Sequence, residues 1–250
     1  MKLTILGSGA ILSKERNTSA YLLEEGASKV LIDFGSGNLR QLQKICEPDK
    51  IASLFLTHVH PDHSLDLISL LAYKKHLKIF KKNPERAQFN LFGPRGTKEF
   101  FNNCVKAFPF IERLDFPVKI TELEVTKLNH FAFNIKTRPV RHAVECLAYS
   151  FESAGKKIVF SGDTEYCEEI VSIAEGADLL VLECSMPDSM QGFAHLSPSE
   201  CGLVAKRAKP KKLILTHFYP MVEETNILES VRKEFDGEVV LAKDLMELTV

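Results

Sequence analysis

A continuous apolar run, Ile-Ala-Ser-Leu-Phe-Leu over residues 51–56, leads without a break into Thr-His-Val-His-Pro-Asp-His over 57–63. A strand of that kind belongs in a core, but three imidazoles and a carboxylate do not follow it there without partners. The strand therefore ends at a cleft, with the polar cluster displayed at its tip. Period-two geometry points the side chains of His58 and His60 the same way, and Asp62 and His63 turn back where a helix over 65–77 begins. Such a loop offers two imidazoles to one cation and a carboxylate plus an imidazole to a second. The plainer alternative is a polar loop that happens to be rich in histidine. The chain has only eight histidines in 250 residues, so three within six positions argue against it.

Further polar residues close other strand-like runs. His142 follows 136–141, Asp163 closes Lys-Ile-Val-Phe-Ser-Gly-Asp, and His217 closes Leu-Ile-Leu-Thr-His. An isolated histidine at a strand end is more often a satisfied structural residue. Three such residues beside the 57–63 cluster reverse that expectation, since α/β scaffolds place chemistry at the carboxyl ends of their strands. His58, His60, Asp62, His63, His142, Asp163 and His217 give seven nitrogen and oxygen donors, enough for two ions that share a carboxylate. Sites of that kind activate water and stabilise in-line displacement.

Periodicity supplies the frame. Strands are expected at 2–6, 19–23, 29–33, 51–56, 89–92, 118–123, 133–140, 147–151, 157–160, 179–182, 213–216 and 239–241. Helices are expected at 38–46, 65–77, 97–108, 165–174, 198–208 and 223–235. Each half of the chain starts with strands and then alternates strand with helix. This predicts an α/β fold of two face-to-face sheets with helices outside, in one domain over 1–250 with halves meeting near 117/118.

Formal net charge is -1, which excludes a strongly basic nucleic-acid binder but not a local patch. Lysine-rich runs at 73–82 and 206–212 read as solvated faces, and His76 in the first as a surface residue. His130 has no motif context. No apolar run approaches the ~18 residues needed to cross a bilayer, so no membrane association is expected. The first twelve residues superficially resemble a signal peptide, but Gly7-Ser8-Gly9 interrupts them, so a first strand is expected. Six scattered cysteines without paired spacing suit a reducing compartment, and a cytoplasmic protein is expected. Phe100, Phe101, Phe108, Phe110 and Phe116 are expected mainly as helical core, with a substrate mouth or a dimer contact as alternatives.

The set His58, His60, Asp62, His63, His142, Asp163 and His217 resembles the five motifs of the metallo-β-lactamase superfamily. The likeness spans essentially the whole chain in order, including Leu-Ile-Asp-Phe-Gly around Asp33 and Gly-Ser-Gly near the start. It implies a four-layer αββα sandwich of two mixed sheets and two divalent ions. Zinc is the first expectation for those ions, with manganese or iron as alternatives. It further implies that His58, His60 and His142 hold the first ion, that Asp62, His63 and His217 hold the second, and that Asp163 bridges them. Asp33 would orient a ligand imidazole, its other reading being a strand-end turn carboxylate. Asp163 stands where one class of true β-lactamases has cysteine. The sequence runs 33 residues beyond His217, short of the helical substrate domain of glyoxalase II. The large insertion of the repair and mRNA-cleaving nucleases is also missing.

The ribonuclease Z-like and phosphodiesterase branch is the most similar. Ser-Gly-Asp-Thr, Ala-His-Leu-Ser-Pro-Ser-Glu around His195, and Leu-Ile-Leu-Thr-His-Phe carry that likeness. It implies a bridging hydroxide that attacks phosphorus, with Asp62 and Asp163 in the catalytic set. It also places His195 near the scissile phosphate as a proton or hydrogen-bond donor. His195 equally flanks a helix start, with Ser197 as cap, Pro198 at the first position and Glu200 completing a capping box; a helix N-terminus also favours an anion. Many ribonuclease Z proteins have a protruding arm before Ser-Gly-Asp-Thr that holds tRNA. Here Ser153–Gly155 passes with only a hairpin turn, so a small or nucleotide-like phosphodiester is expected; RNA stays open and tRNA is disfavoured. A homodimer is implied by the family. The alternatives are a lactone or thioester hydrolase of the same superfamily, and a non-catalytic scaffold member, which typically loses ligands that this chain retains.

Overall fold

Apolar side chains alternate along the first strands, and that alternation sorts them between two cores. In β1 (Lys2–Gly7), β2 (Ala20–Glu25) and β3 (Ser28–Phe34), the residues Leu3, Ile5, Tyr21, Leu23, Val30 and Ile32 face one cluster. Their neighbours Leu6, Leu22 and Leu31 face another. Period-two exposure of both faces to apolar surroundings is what a sheet buried on both sides requires. The structure, a computed structural model, describes residues 1–77 and 88–250.

β1, β2 and β3 form an antiparallel meander that continues as a parallel sheet through β4 (Ser53–Phe55), β5 (Phe89–Gly93) and β6 (Val118–Glu122). The second sheet repeats this plan. β7 (Lys127–His130), β8 (Phe133–Val140), β9 (Cys146–Ser153) and β10 (Lys156–Phe160) are antiparallel neighbours, and β11 (Leu179–Glu183), β12 (Lys212–Thr216) and β13 (Glu238–Leu241) extend it in parallel. A last strand, β14 (Met246–Thr249), returns to pair with β1. Each sheet thus has seven described strands.

Parallel neighbours need crossovers, and helices supply them. α1 (Asn38–Ile45), α2 (Pro61–Ser64), α3 (Asp66–Leu77) and α4 (Thr97–Ala107) follow the strands of the first sheet, with Leu42, Leu67, Leu70, Leu71 and Phe101 in its outer core. α5 (Glu168–Ala174), α6 (Pro198–Ala208), α7 (Pro220–Glu223) and α8 (Ile227–Arg232) serve the second sheet through Ile170, Val204 and Val231. The expected αββα sandwich of two mixed sheets is therefore present.

Several expectations shift in detail. The division near 117/118 does not separate the sheets, because β6 lies in the first and β14 crosses back to it. Both β7 and β14 escape periodicity; they are four-residue strands of alternating polarity whose pairing comes from their neighbours. The helix expected over 223–235 shortens to α8: Glu223 closes α7 instead, and the Asn226 side chain accepts from Glu229 N to start a new helix. α6 starts as expected, with a complete Ser197–Glu200 capping box. Phe101 and Phe116 are core, Phe100 and Phe110 pack against it, and Phe108 is exposed. The cysteines are free, four of them buried. His76 is exposed; the part of its lysine run beyond Leu77 lies outside the described residues. No helix among the described residues is long and apolar enough to cross a membrane.

One glycine fixes where the 57–63 loop lies. A Cβ on Gly35, just after β3, would stand 1.9 Å from the Asp62 carbonyl oxygen and 2.3 Å from Thr18 Oγ1. Gly35→Ala should therefore push the loop off β3 and cost about 1–3 kcal/mol, read as a lowered midpoint in thermal unfolding. An unchanged midpoint would mean that the loop is not seated as described.

Candidate metal centre

Every residue of the expected set stands at the carboxyl end of a strand, on the same end of the sandwich. The 57–63 segment follows β4, His142 follows β8, Asp163 follows β10 and His217 follows β12. The facing edges of the two sheets bring these ends together, and Asp163 lies between His58 and His217. His58, His60, His142 and Asp163 offer donor atoms within 4.8 Å of one another. Asp62, His63 and His217 form a second such group, and Asp163, His195 and His217 a third.

Ring nitrogens face one another across the site. His60 Nδ1 stands 3.0 Å from His58 Nε2 and 3.4 Å from His142 Nε2. His63 Nε2 stands 3.2 Å from His217 Nε2, which is 3.4 Å from Asp62 Oδ2. Asp163 lies between the groups, with Oδ2 3.6 Å from both His58 Nε2 and His217 Nε2. Its Oδ1 is buried without a well-directed hydrogen bond, 3.4 Å from His63 Nε2.

The far side of four rings settles which nitrogen is bare. His63 Nδ1 donates to Asp33 Oδ2 at 2.8 Å, and His142 Nδ1 to the Ala194 carbonyl at 3.0 Å. His58 Nδ1 donates to Thr57 Oγ1 at 3.0 Å, whose own proton goes to Asp33. His217 Nδ1 donates to Ser185 Oγ at 2.8 Å, and that hydroxyl donates to Glu183. With Nδ1 protonated in each neutral ring, Nε2 presents a lone pair inward, as metal-ligating imidazoles do.

From the protein groups alone, charge in the site is frustrated. Burial opposes a charged His63, yet Asp163 and Asp33 outweigh it and hold the imidazole well above its ordinary pKa. Burial, and then the His63 charge, push His58 well below. Burial would raise Asp163, but His217, His63 and His58 keep it well below the usual carboxylate range. Asp62 is also lowered: burial opposes its charge, and His217 and His63 together outweigh it. Carboxylates that demand positive charge, beside imidazoles that cannot all take protons, are the donor set a divalent cation satisfies.

Two of these residues adopt left-handed backbone, Asp33 at φ 51° and His217 at φ 58°. Such a conformation is uncommon outside glycine and marks sites where geometry is imposed by surroundings. For Asp33 the two expectations both hold. It ends β3 in a turn, and its carboxylate, 1% exposed, accepts from Thr57 N, Thr57 Oγ1 and His63 Nδ1.

Four contributors escaped the sequence analysis. Glu183 ends β11 and accepts from His195 Nδ1 at 2.9 Å and from Thr164 N at 2.8 Å. The strand-end rule applied to Leu-Leu-Val-Leu-Glu would have found it. Ser185 and the Ile11 amide, which donates to Asp62 Oδ2 at 3.1 Å, carry no sequence signal. Tyr219 packs edge-on against His195 and His217, with centroids 5.7 and 5.9 Å away. His195 is brought to the site as expected, 3.9 Å from Asp163. His130 is not; its Nε2 lies 2.7 Å from Ser53 Oγ, at the start of β4.

Residues 28–218 match the beta-lactamase superfamily domain, and the chain belongs to the metallo-β-lactamase superfamily, in its ribonuclease Z-like branch. Ribonuclease Z of Thermococcus sibiricus is 30% identical, over 98% of this chain and 94% of its own length. The metallo-beta-lactamase fold protein YhfI from Bacillus subtilis superposes with a TM-score of 0.86 at 25% identity, covering 99% of this chain and 98% of its own. Human tRNase Z, short form, gives 0.79 at 25% identity, over 100% and 99%. The family and the ribonuclease relatives place the chain among hydrolases, and its His and Asp clusters suit a divalent metal.

Because Asp33 fixes both Thr57 and His63, Asp33→Asn should weaken zinc affinity about 10–100-fold, measured by competition with a chromophoric chelator. Unchanged affinity would leave Asp33 only its turn role.

Proposed function

We propose that this protein is a metal-dependent phosphodiesterase acting on small, nucleotide-like phosphodiesters, with residues 1–250 as one domain and, by family resemblance, a homodimer. The reading rests above all on the bare imidazole nitrogens and the Asp163 carboxylate converging in a member of a hydrolytic family. In it, His58, His60 and His142 hold one divalent ion, and Asp62, His63 and His217 hold the other. Asp163 serves both, and zinc is the first candidate. Divalent ions so held supply a water of lowered pKa and Lewis acidity toward a phosphoryl oxygen.

The chain's own groups do the rest. Asp62, aligned by the Ile11 amide, accepts a hydrogen bond from the attacking water. His195 Nδ1–H donates a hydrogen bond to Glu183 Oε1, which turns Nε2 toward a phosphate or leaving-group oxygen. Burial works against a charged His195, but Glu183 and then Asp163 outweigh it and raise its pKa to about 9. A proton held more tightly than on a free imidazole suits the ring to donate.

Three observations favour a small substrate over tRNA. Ser153 pairs directly with Lys156, and Ala154 and Gly155 at φ 49° and 74° make a two-residue hairpin where an arm would have to emerge. The basic run at 206–212 precedes β12, whereas the site lies at that strand's other end. Lys206, Arg207, Lys211 and Lys212 also each face a carboxylate, from Glu234, Glu168, Asp178 and Glu238. Such a surface offers little to a long polyanion.

Hydrolysis of bis-(p-nitrophenyl) phosphate by protein of measured metal content tests the reading. Turnover near two metals per chain, lost in Asp163→Ala, is expected; two metals without diester turnover would move the assignment to lactones or thioesters. His195→Ala should lower turnover about 10²–10⁴-fold at unchanged metal content. A rate equal to wild type removes its role. The His195 proton leaves as pH rises through its raised pKa, so activity falls on the alkaline side. Glu183→Gln removes the main cause of that rise and should move the alkaline limb to lower pH, and an unmoved limb would sink the pairing.

A further inference from the structure

The residues just past β10 do more than supply Asp163. Thr164 donates its amide to Glu183 Oε1 at 2.8 Å, the same oxygen that receives His195 Nδ1 at 2.9 Å. Glu165 is engaged at both its ends. Its amide donates to the Arg141 carbonyl at 2.8 Å, and its Oε1 accepts from the Ala194 amide at 3.2 Å. Glu165 therefore joins the segment that carries His142 to the segment that carries His195.

Ala194 is where that joint bears on the centre. Its backbone is left-handed, with φ 61°, although it has a Cβ. Such a conformation is disfavoured in an L-residue and persists where the surroundings hold it. Gln191, Gly192 and Phe193 before it are exposed, so burial does not hold this stretch. The hydrogen bonds of Ala194 carry that task instead. Its amide is turned to Glu165, and its carbonyl accepts from His142 Nδ1 at 3.0 Å.

We infer that Glu165 is a positioning residue. By fixing the backbone of Ala194 it sets the carbonyl that orients His142, and with it the affinity for the ion assigned to that ring. The same contact keeps His142 beside His195, with ring centroids 5.3 Å apart. An imidazole that ligates a metal depends on the acceptor behind its other nitrogen. Here that acceptor is a main-chain carbonyl, which needs a partner elsewhere to hold its direction. The contact calls for an acceptor oxygen and not for a charge. The inference rests on His142 as a metal ligand and is independent of the substrate class.

Zinc titration against a chromophoric chelator tests this without any substrate. His142→Ala identifies the part of the affinity that depends on this ring. Glu165→Ala should weaken that same part about tenfold, and Glu165→Gln, which keeps an acceptor oxygen, should restore it. With His142→Ala already present, Glu165→Ala should cost nothing further, because the two residues act as one unit. Unchanged affinity in Glu165→Ala, a glutamine variant as weak as the alanine variant, or a loss that persists without His142 would each overturn the inference alone. Wild-type affinity in His142→Ala would overturn the ligand assignment and the inference with it. Circular dichroism of the metal-free proteins checks folding; should Glu165→Ala not fold, Glu165→Met, of similar length but without the acceptor oxygen, takes its place.

Discussion

A buried carboxylate with too many obligations organises the first half of the centre. Asp33, in left-handed backbone at the end of β3, accepts from the Thr57 amide, the Thr57 hydroxyl and the His63 ring. Burial alone drives its pKa up, with His63 and Thr57 opposing that rise. If it is not satisfied, a charge is stranded in the interior. Satisfying it draws the 57–63 loop against β3 and turns two imidazoles by their Nδ1 sides, His63 directly and His58 through Thr57. Gly35 leaves room for that approach.

The second sheet repeats the device with other residues. Glu183 ends β11 as Asp33 ends β3, holding one imidazole directly (His195) and one through a hydroxyl (His217, through Ser185). In both cases a strand-end carboxylate is placed behind the inward-facing rings. Cross-sheet hydrogen bonds join the two assemblies, from Tyr149 Oη to the Leu56 carbonyl and between the Leu147 amide and the Thr57 carbonyl. The two halves of the centre are thereby fixed relative to one another, as catalysis by preorganised groups requires.

Much of the fold was legible because its strands are apolar and its helices are punctuated. The strands of both sheets that border the core announce themselves by runs such as Leu-Leu-Val-Leu over 179–182, and α6 by its capping box. Two of the four described edge strands were not legible. β7 and β14 have no apolar signature because one flank faces solvent, and their existence depends on β8 and β1 offering partners. Likewise the apparent helix over 223–235 had a continuous amphipathic pattern, and the local Asn226 hydrogen bond overrode it.

The sequence by itself determined the donor inventory: seven inward-facing ligand candidates at strand ends, with His195 beside a helix start. Metal chemistry demands particular atoms, and those are written in residue types. Only the tertiary structure decided how the donors are oriented. Asp33 and Glu183, the hydroxyls of Thr57 and Ser185, the Ala194 carbonyl and the Ile11 amide act through hydrogen bonds between segments up to 52 residues apart, such as His142 and Ala194. A carbonyl or an amide is present at nearly every position, so its use is invisible until the chain folds. What makes it functional is where packing places it.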